Sequence, residues 1–92
     1  MSKNKKNNTF LHVNSFRYLQ NYVLRICFND GVEKDVDLRN QLIGEVFEPL
    51  MDLAVFQTVY LDDDTRTISW PSGADFAPEY LYELGEKVRK AA

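Results

Sequence analysis

Apolar and polar residues alternate on both sides of an Asn-Asp-Gly sequence, and this is the clearest pattern in the chain. The apolar positions are Tyr22, Leu24, Ile26 and Phe28 before that sequence, and Val32, Val36 and Leu38 after it. A period of two is typical of half-buried strands, and Asp-Gly is a turn sequence. The stretch is therefore predicted to form two antiparallel strands joined as a hairpin.

Side-chain parity selects the length of the hairpin loop. A loop of two residues places Ile26 opposite Asp35 and mixes apolar and charged side chains on one face. A loop of three residues, 29–31, places Leu24 opposite Val36 and leaves one face almost wholly apolar. We expect the three-residue loop, with its glycine in the left-handed conformation of a bulge.

The opposite face of this hairpin is polar. The same register pairs Arg25 with Asp35 and Cys27 with Glu33. Asp35 and Asp37 stand two positions apart, a spacing that also suits paired carboxylates in acid–base chemistry. A solvated outer face, partly neutralised by Arg25, is the favoured interpretation because antiparallel sheets commonly expose one face.

The remaining elements follow from shorter patterns. They are a first strand over Phe10–Leu19, a short helix over Glu48–Leu53, strands over Phe56–Leu61 and Arg66–Trp70, and a last helix that begins near Pro78. In the central segment a core stripe at helical spacing is predicted from Val46, Phe47, Leu50, Met51 and Ala54. In the last helix the stripe is Leu81, Leu84 and Val88, and Gly85 either weakens the helix or marks a close approach to the sheet.

These elements predict an α+β fold. We expect a single two-layer domain with an antiparallel sheet of about five strands, a three-strand meander plus a hairpin, covered by the C-terminal helix and the short central helix. The domain is predicted over residues 10–90, after a disordered basic tail at 1–9. Pairing Leu61 with Ile68 in the second hairpin requires an even loop, either 64–65 or 63–66.

Rare residues cluster between Ile68 and Tyr82, where a strand is predicted to turn into the last helix. We expect Trp70 to end the strand in the core, Gly73 to permit the turn and Asp75 to tie it by hydrogen bonds to backbone N–H groups. The candidate site residues are Trp70, Gly73, Asp75, Phe76, Tyr80 and Tyr82. A core role is favoured for Trp70 and Phe76, and less so for the two tyrosines.

Charge is distributed unevenly. The net charge is −3 at pH 7, but six of the eleven basic residues lie near the two ends of the chain. Between Asn7 and Glu86 there are five basic and fourteen acidic residues, a net charge of −9. Such a body repels a phosphate backbone, so nucleic-acid binding is disfavoured.

Motifs for catalysis, metals and cofactors are lacking in the sequence. It contains no GxxxxGK[ST], GxGxxG, HExxH, CxxC or GxSxG pattern, and it has one His and one Cys. The aspartates at 62–64 lack the spacing of a calcium loop and are interpreted as a turn. We predict no metal, no cofactor and no enzymatic activity. A cytoplasmic location is expected because no signal peptide or membrane span is present.

Three stretches carry a resemblance to a known family. They are NYVLRICFNDGVEKDVDL, VFEPLMDLAVF and TISWPSGADFAPEYLYE, and the last keeps the pattern I-x-W-P-x-G-A-D-[FI]-x-P-E-x-L-Y throughout. In order and spacing these resemble the small bacterial domain of unknown function family DUF2442, over roughly residues 11–84. The resemblance implies a compact α+β domain without established catalytic residues. It also implies occurrence alone, beside a second small protein in a toxin–antitoxin-like pair, or fused to a helix-turn-helix domain. Because the chain ends soon after the shared region, we expect no helix-turn-helix domain here.

Two functions follow from these observations. The first is a non-enzymatic interaction domain, antitoxin-like or regulatory, whose partner is another small protein encoded nearby and whose aromatic residues supply contacts. The alternative is a small-molecule-binding or catalytic domain that uses a pocket near Trp70–Asp75. A homo-oligomer is left open by the two edges of such a sheet.

Overall fold

The computed structural model describes residues 11–88 and contains a four-stranded antiparallel sheet. Its strands are β1 (Val13–Gln20), β2 (Val23–Phe28), β3 (Glu33–Asp37) and β6 (Glu86–Lys87), and they lie in the sheet in that order. A separate two-stranded sheet consists of β4 (Tyr60–Asp62) and β5 (Thr67–Ser69). Two α-helices, α1 (Leu53–Phe56) and α2 (Pro78–Leu84), and two 3-10 turns, Arg39–Gln41 and Glu48–Met51, complete the fold. The α+β prediction is confirmed, while the predicted tail at 1–9 lies outside the described residues.

The β2–β3 hairpin has the predicted register. Leu24 pairs with Val36, and Ile26 pairs with Lys34. The amide of Phe28 donates to the carbonyl of Val32 at 2.9 Å, which leaves the three-residue loop between them. The loop glycine has φ +89°, the left-handed conformation expected of it.

The central segment differs from the single helix predicted over 48–53. A 3-10 turn ends at Met51, and α1 begins only at Leu53. Asp52 separates them because its backbone is extended (φ −76°, ψ 117°) while its carboxylate accepts a hydrogen bond from the amide of Ala54. Val46, Met51 and Ala54 are exposed, so their assignment to a core stripe was wrong.

The second hairpin pairs Leu61 with Ile68, as parity predicts. The pair between Asp62 and Thr67 leaves a four-residue loop, the longer of the two alternatives. The hairpin forms its own sheet and does not extend the first. One backbone hydrogen bond, from the Val13 amide to the Arg66 carbonyl at 2.9 Å, joins it to the start of β1.

The last helix is shorter than predicted because the chain becomes extended at Gly85 (φ −76°, ψ 160°). Residues 86–87 then form β6 along β3, and the amide of Val88 donates to Glu33. Val88 therefore lies beyond the helical stripe to which it was assigned. A Cβ at Gly85 would lie 2.8 Å from Val36 Cγ2, so the predicted close approach to the sheet is present.

The core lies between the inner face of the larger sheet and the elements that cover it. Its fully buried side chains include Trp70, Phe28, Phe56, Leu24, Ile26, Leu38, Leu50, Ile68, Leu81, Val13 and Val36. Every strand, helix or 3-10 turn longer than three residues therefore contributes to one hydrophobic cluster.

Candidate interaction surface

Trp70 belongs to the core. Its side chain is 1% exposed, and its ring packs against Phe56 and Phe76 with centroids 5.6 and 6.0 Å apart. The indole N–H donates to the carbonyl of Phe56 at 2.8 Å, which satisfies the one polar group of the side chain. Trp70 therefore presents no surface to a ligand at the predicted pocket.

The turn after Trp70 is held by backbone. Gly73 (φ +100°) donates to the Trp70 carbonyl, and the Trp70 amide donates to Ala74, both at 2.9 Å. Asp75 is exposed, and over residues 11–88 its carboxylate accepts no hydrogen bond. The prediction that Asp75 holds the turn by side-chain hydrogen bonds was therefore wrong. Thr67 supplies a side-chain hydrogen bond there instead, because its buried hydroxyl donates to the carbonyl of Phe76 at 2.7 Å.

Phe76 connects the core to an exposed ring on α2. It packs against Phe47 at 4.9 Å between centroids and stacks on Tyr80 at 5.8 Å with 7° between the ring planes. Tyr80 is 45% exposed, and its hydroxyl contacts the side chain of Gln41. Segment 41–47 is thus held at one end by Tyr80 on α2 and at the other end by Phe76, which precedes the helix.

Apolar side chains are exposed between these two anchors. Ile43 is 76% exposed and Val46 is 49% exposed, although both are large aliphatic residues. The loop that carries them is ordered by amides of Phe47 and Glu48 that donate to the carbonyl of residue 44. We call Ile43, Val46, Phe47 and Tyr80 the loop–helix surface.

Tyr82 lies on the other side of α2. Its ring packs edge-on against Phe28 with centroids 4.8 Å apart, and the Lys34 ammonium lies 4.0 Å from its centroid. The hydroxyl donates to the Asp30 carboxylate at 2.7 Å, and this hydrogen bond raises the pKa of Tyr82. The ring is half-buried and forms one wall of a groove of about 270 Å³.

The outer face of the sheet carries the predicted ion pair. Arg25 donates to both carboxylate oxygens of Asp35, at 2.8 and 3.1 Å. This hydrogen-bonded contact lowers the pKa of Asp35 and raises the pKa of Arg25. Cys27 pairs with Glu33 on the same face, as the register requires. The pairing of Asp35 with Arg25 favours the structural role over paired-carboxylate chemistry.

The described residues, 11–88, contain neither a metal-binding cluster nor a membrane-spanning helix. Within residues 11–88, no group of three or more His, Cys, Asp or Glu side chains is placed to hold a metal ion. None of the helices described there has the length and apolar character needed to cross a membrane.

A family model described as "Protein of unknown function (DUF2442)" matches residues 13–87. The chain belongs to the DUF2442 family. The matched region begins with the first residue of β1 and ends with the last residue of β6, so all six strands and both helices of the described structure lie within it. No curated protein and no solved structure gives a significant match to the chain.

The DUF2442 match extends through β6, whereas the recognised sequence pattern stops at the last helix. Of the pattern residues, Trp70 and Phe76 are buried, while Asp75 and Tyr80 are exposed. Ile43 and Val46 were not among the predicted site residues. Two aliphatic residues on either side of Gly44-Glu45 were the sequence signal for them, but the periodic pattern assigned Val46 to the core.

Proposed function

We propose that this DUF2442 protein is a non-enzymatic interaction domain, an antitoxin-like or regulatory partner that binds another small protein through the loop–helix surface. The observation that carries the proposal is the exposure of Ile43 and Val46 in a loop that is fixed at both ends. Tyr80 is of a residue type that is enriched among interface hot spots, and burial of the two aliphatic side chains removes apolar surface from water. A fixed loop also loses little conformational entropy on binding, which favours affinity.

The charges around the loop–helix surface indicate which charges the partner should carry. Glu45, Glu48 and Glu79 are all exposed and adjoin Val46, Phe47 and Tyr80 in the chain. An apolar centre with an acidic rim complements a partner that has an apolar centre and a basic rim. The same carboxylates repel the phosphates of nucleic acid, which supports a protein partner.

The test is co-purification of the tagged full-length chain from its native host, with matched surface variants. The wild type is expected to retain a stoichiometric partner. Ile43→Ser/Val46→Ser is expected to weaken binding about thirtyfold, because burial of each aliphatic side chain in the interface contributes roughly 1 kcal/mol or more. Both positions are exposed, so the free energy of unfolding should change by less than about 0.5 kcal/mol.

Tyr60→Thr is the matched control. Tyr60 is also an exposed large side chain, at 44%, but it lies on β4 outside the loop–helix surface. The control should bind the partner as the wild type does. Recovery of no stoichiometric partner, or equal recovery by the Ile43→Ser/Val46→Ser variant, would refute the proposal.

A further inference from the structure

The groove beside α2 combines apolar walls with carboxylates that form no ion pair among the described residues. It is lined by Leu11, Asp30, Glu79, Tyr82 and Glu83. Leu11 and the ring of Tyr82 supply the apolar walls. Among the described residues the one ion pair is Arg25–Asp35, so no cation neutralises the three carboxylates of the groove there.

The three carboxylates converge from two elements. Glu79 and Glu83 are four residues apart on α2 and therefore lie on one side of the helix. Asp30 comes from the β2–β3 loop and is held by the Tyr82 hydroxyl. The negative potential of this arrangement favours a cation, and the apolar walls favour the methylene chain that carries it.

The contact between Lys34 and Tyr82 shows that this helix region already accommodates a basic side chain. The Lys34 ammonium lies over the Tyr82 ring and donates to the Tyr82 carbonyl at 2.5 Å. Lys34 does not line the groove. A second basic side chain would lie along the groove walls, with its charged end at Glu79 and Glu83.

We infer that the groove receives a lysine or arginine side chain of the partner protein that binds the adjacent loop–helix surface. The inference rests on the proposed function. The two surfaces adjoin along α2, because Tyr80 of the loop–helix surface and Glu83 of the groove are three residues apart on the helix. One partner segment with a basic residue next to an apolar residue can therefore contact both.

The test uses a library of random 12-residue peptides displayed on phage and selected on the full-length chain. Selected peptides should carry Lys or Arg beside an aliphatic or aromatic residue. Glu79→Gln/Glu83→Gln should weaken the Kd of a selected synthetic peptide about tenfold at low ionic strength, the order expected for two partly exposed ion pairs. The loss should diminish as salt is added, because salt screens these charges.

The control variant Asp63→Asn/Asp64→Asn removes the same charge from exposed positions in the β4–β5 loop, and it should change the Kd less than twofold. Peptides without basic residues, or equal weakening by both variants, would overturn the inference. Sensitivity to Ile43→Ser/Val46→Ser alone would overturn it while leaving the proposed function intact. Insensitivity to both surfaces would refute the two proposals together.

The chain's own lysines are the alternative occupants. Lys3, Lys5 and Lys6 precede Leu11 in the sequence, and Leu11 lines the groove. Tighter peptide binding by a full-length variant with all three changed to Gln would place these lysines in the groove and would overturn the inference.

Discussion

Replacement of Gly85 by alanine should destabilise the protein, although the backbone there suits any residue. Gly85 has φ −76° and ψ 160°, so alanine introduces no backbone strain. Gly→Ala at such a position stabilises proteins by about 0.4–1 kcal/mol through the unfolded chain. The outcome therefore depends on the space around the added Cβ.

That space is already occupied. The new Cβ would lie 2.8 Å from Val36 Cγ2, 2.9 Å from Lys34 Cβ and 3.2 Å from the Leu81 carbonyl oxygen. Lys34 Cβ is bonded directly to the backbone of β3, and Val36 is fully buried, so neither can move aside freely. Overpacking of this kind costs about 1–3 kcal/mol. The steric cost exceeds the entropic gain, and we expect a net loss of roughly 1–2 kcal/mol.

The measurement is chemical and thermal unfolding followed by circular dichroism. For a domain of this size, 1 kcal/mol lowers Tm by about 4–8 °C. A variant that is as stable as the wild type, or more stable, would refute the reasoning. A double-mutant cycle with Val36→Ala isolates the contact: Gly85→Ala should cost at least about 0.5 kcal/mol less in that background, because Cγ2 is absent. Additive effects would show that the contact does not determine the cost.

Two further predictions concern buried and charged contacts. Trp70→Phe should lower the free energy of unfolding by about 2–3 kcal/mol, because it removes buried ring area and the hydrogen bond to the Phe56 carbonyl. Unfolding in denaturant measures this loss. The control Tyr60→Phe, at an exposed ring, should leave the free energy of unfolding nearly unchanged. Asp35→Asn should destabilise the protein at neutral pH, since the hydrogen-bonded Arg25 lowers the pKa of Asp35 in the folded state. This stabilisation is present above the ordinary carboxyl pKa of about 3.9 and is lost as pH falls through the lowered folded value, so the two stability curves should converge below about pH 4. A difference that persists unchanged to pH 2 would contradict it.

Sequence patterns predicted the strand pairing correctly wherever the alternation of apolar and polar side chains alone determined the register. Parity alone selected the register of β2 and β3, because a slip by one residue would expose Leu24 and bury Asp35. The same rule paired Leu61 with Ile68. These features depend on neighbouring side chains and not on the rest of the fold.

Sequence patterns gave a wrong prediction where two local structures were compatible with the sequence and contacts elsewhere in the fold determined which one forms. Val88 fits a helical stripe, but a helix continued through Gly85 would forgo the antiparallel pairing of 86–87 with β3. Val46 fits a helical stripe too, yet it lies in a turn that precedes the 3-10 turn at Glu48 and is exposed. The groove was equally inaccessible to sequence reasoning, because Asp30 and Glu83 are distant in the chain and meet only in the folded protein.

The position of α2 connects the stability of the core to both proposed binding surfaces. A helix of seven residues is too short to be stable in water by itself, so its placement depends on tertiary contacts. Leu81 is fully buried, the Tyr82 carbonyl accepts from Lys34, and Gly85 lets the helix end approach β3. Displacement of the helix end by Gly85→Ala should therefore move Glu83, at the groove, more than Tyr80, which is held one turn earlier by Phe76. Peptide binding by that variant should therefore depend less on the basic residues of the peptide than binding by the wild type does. Its dependence on the apolar residues of the peptide should change less.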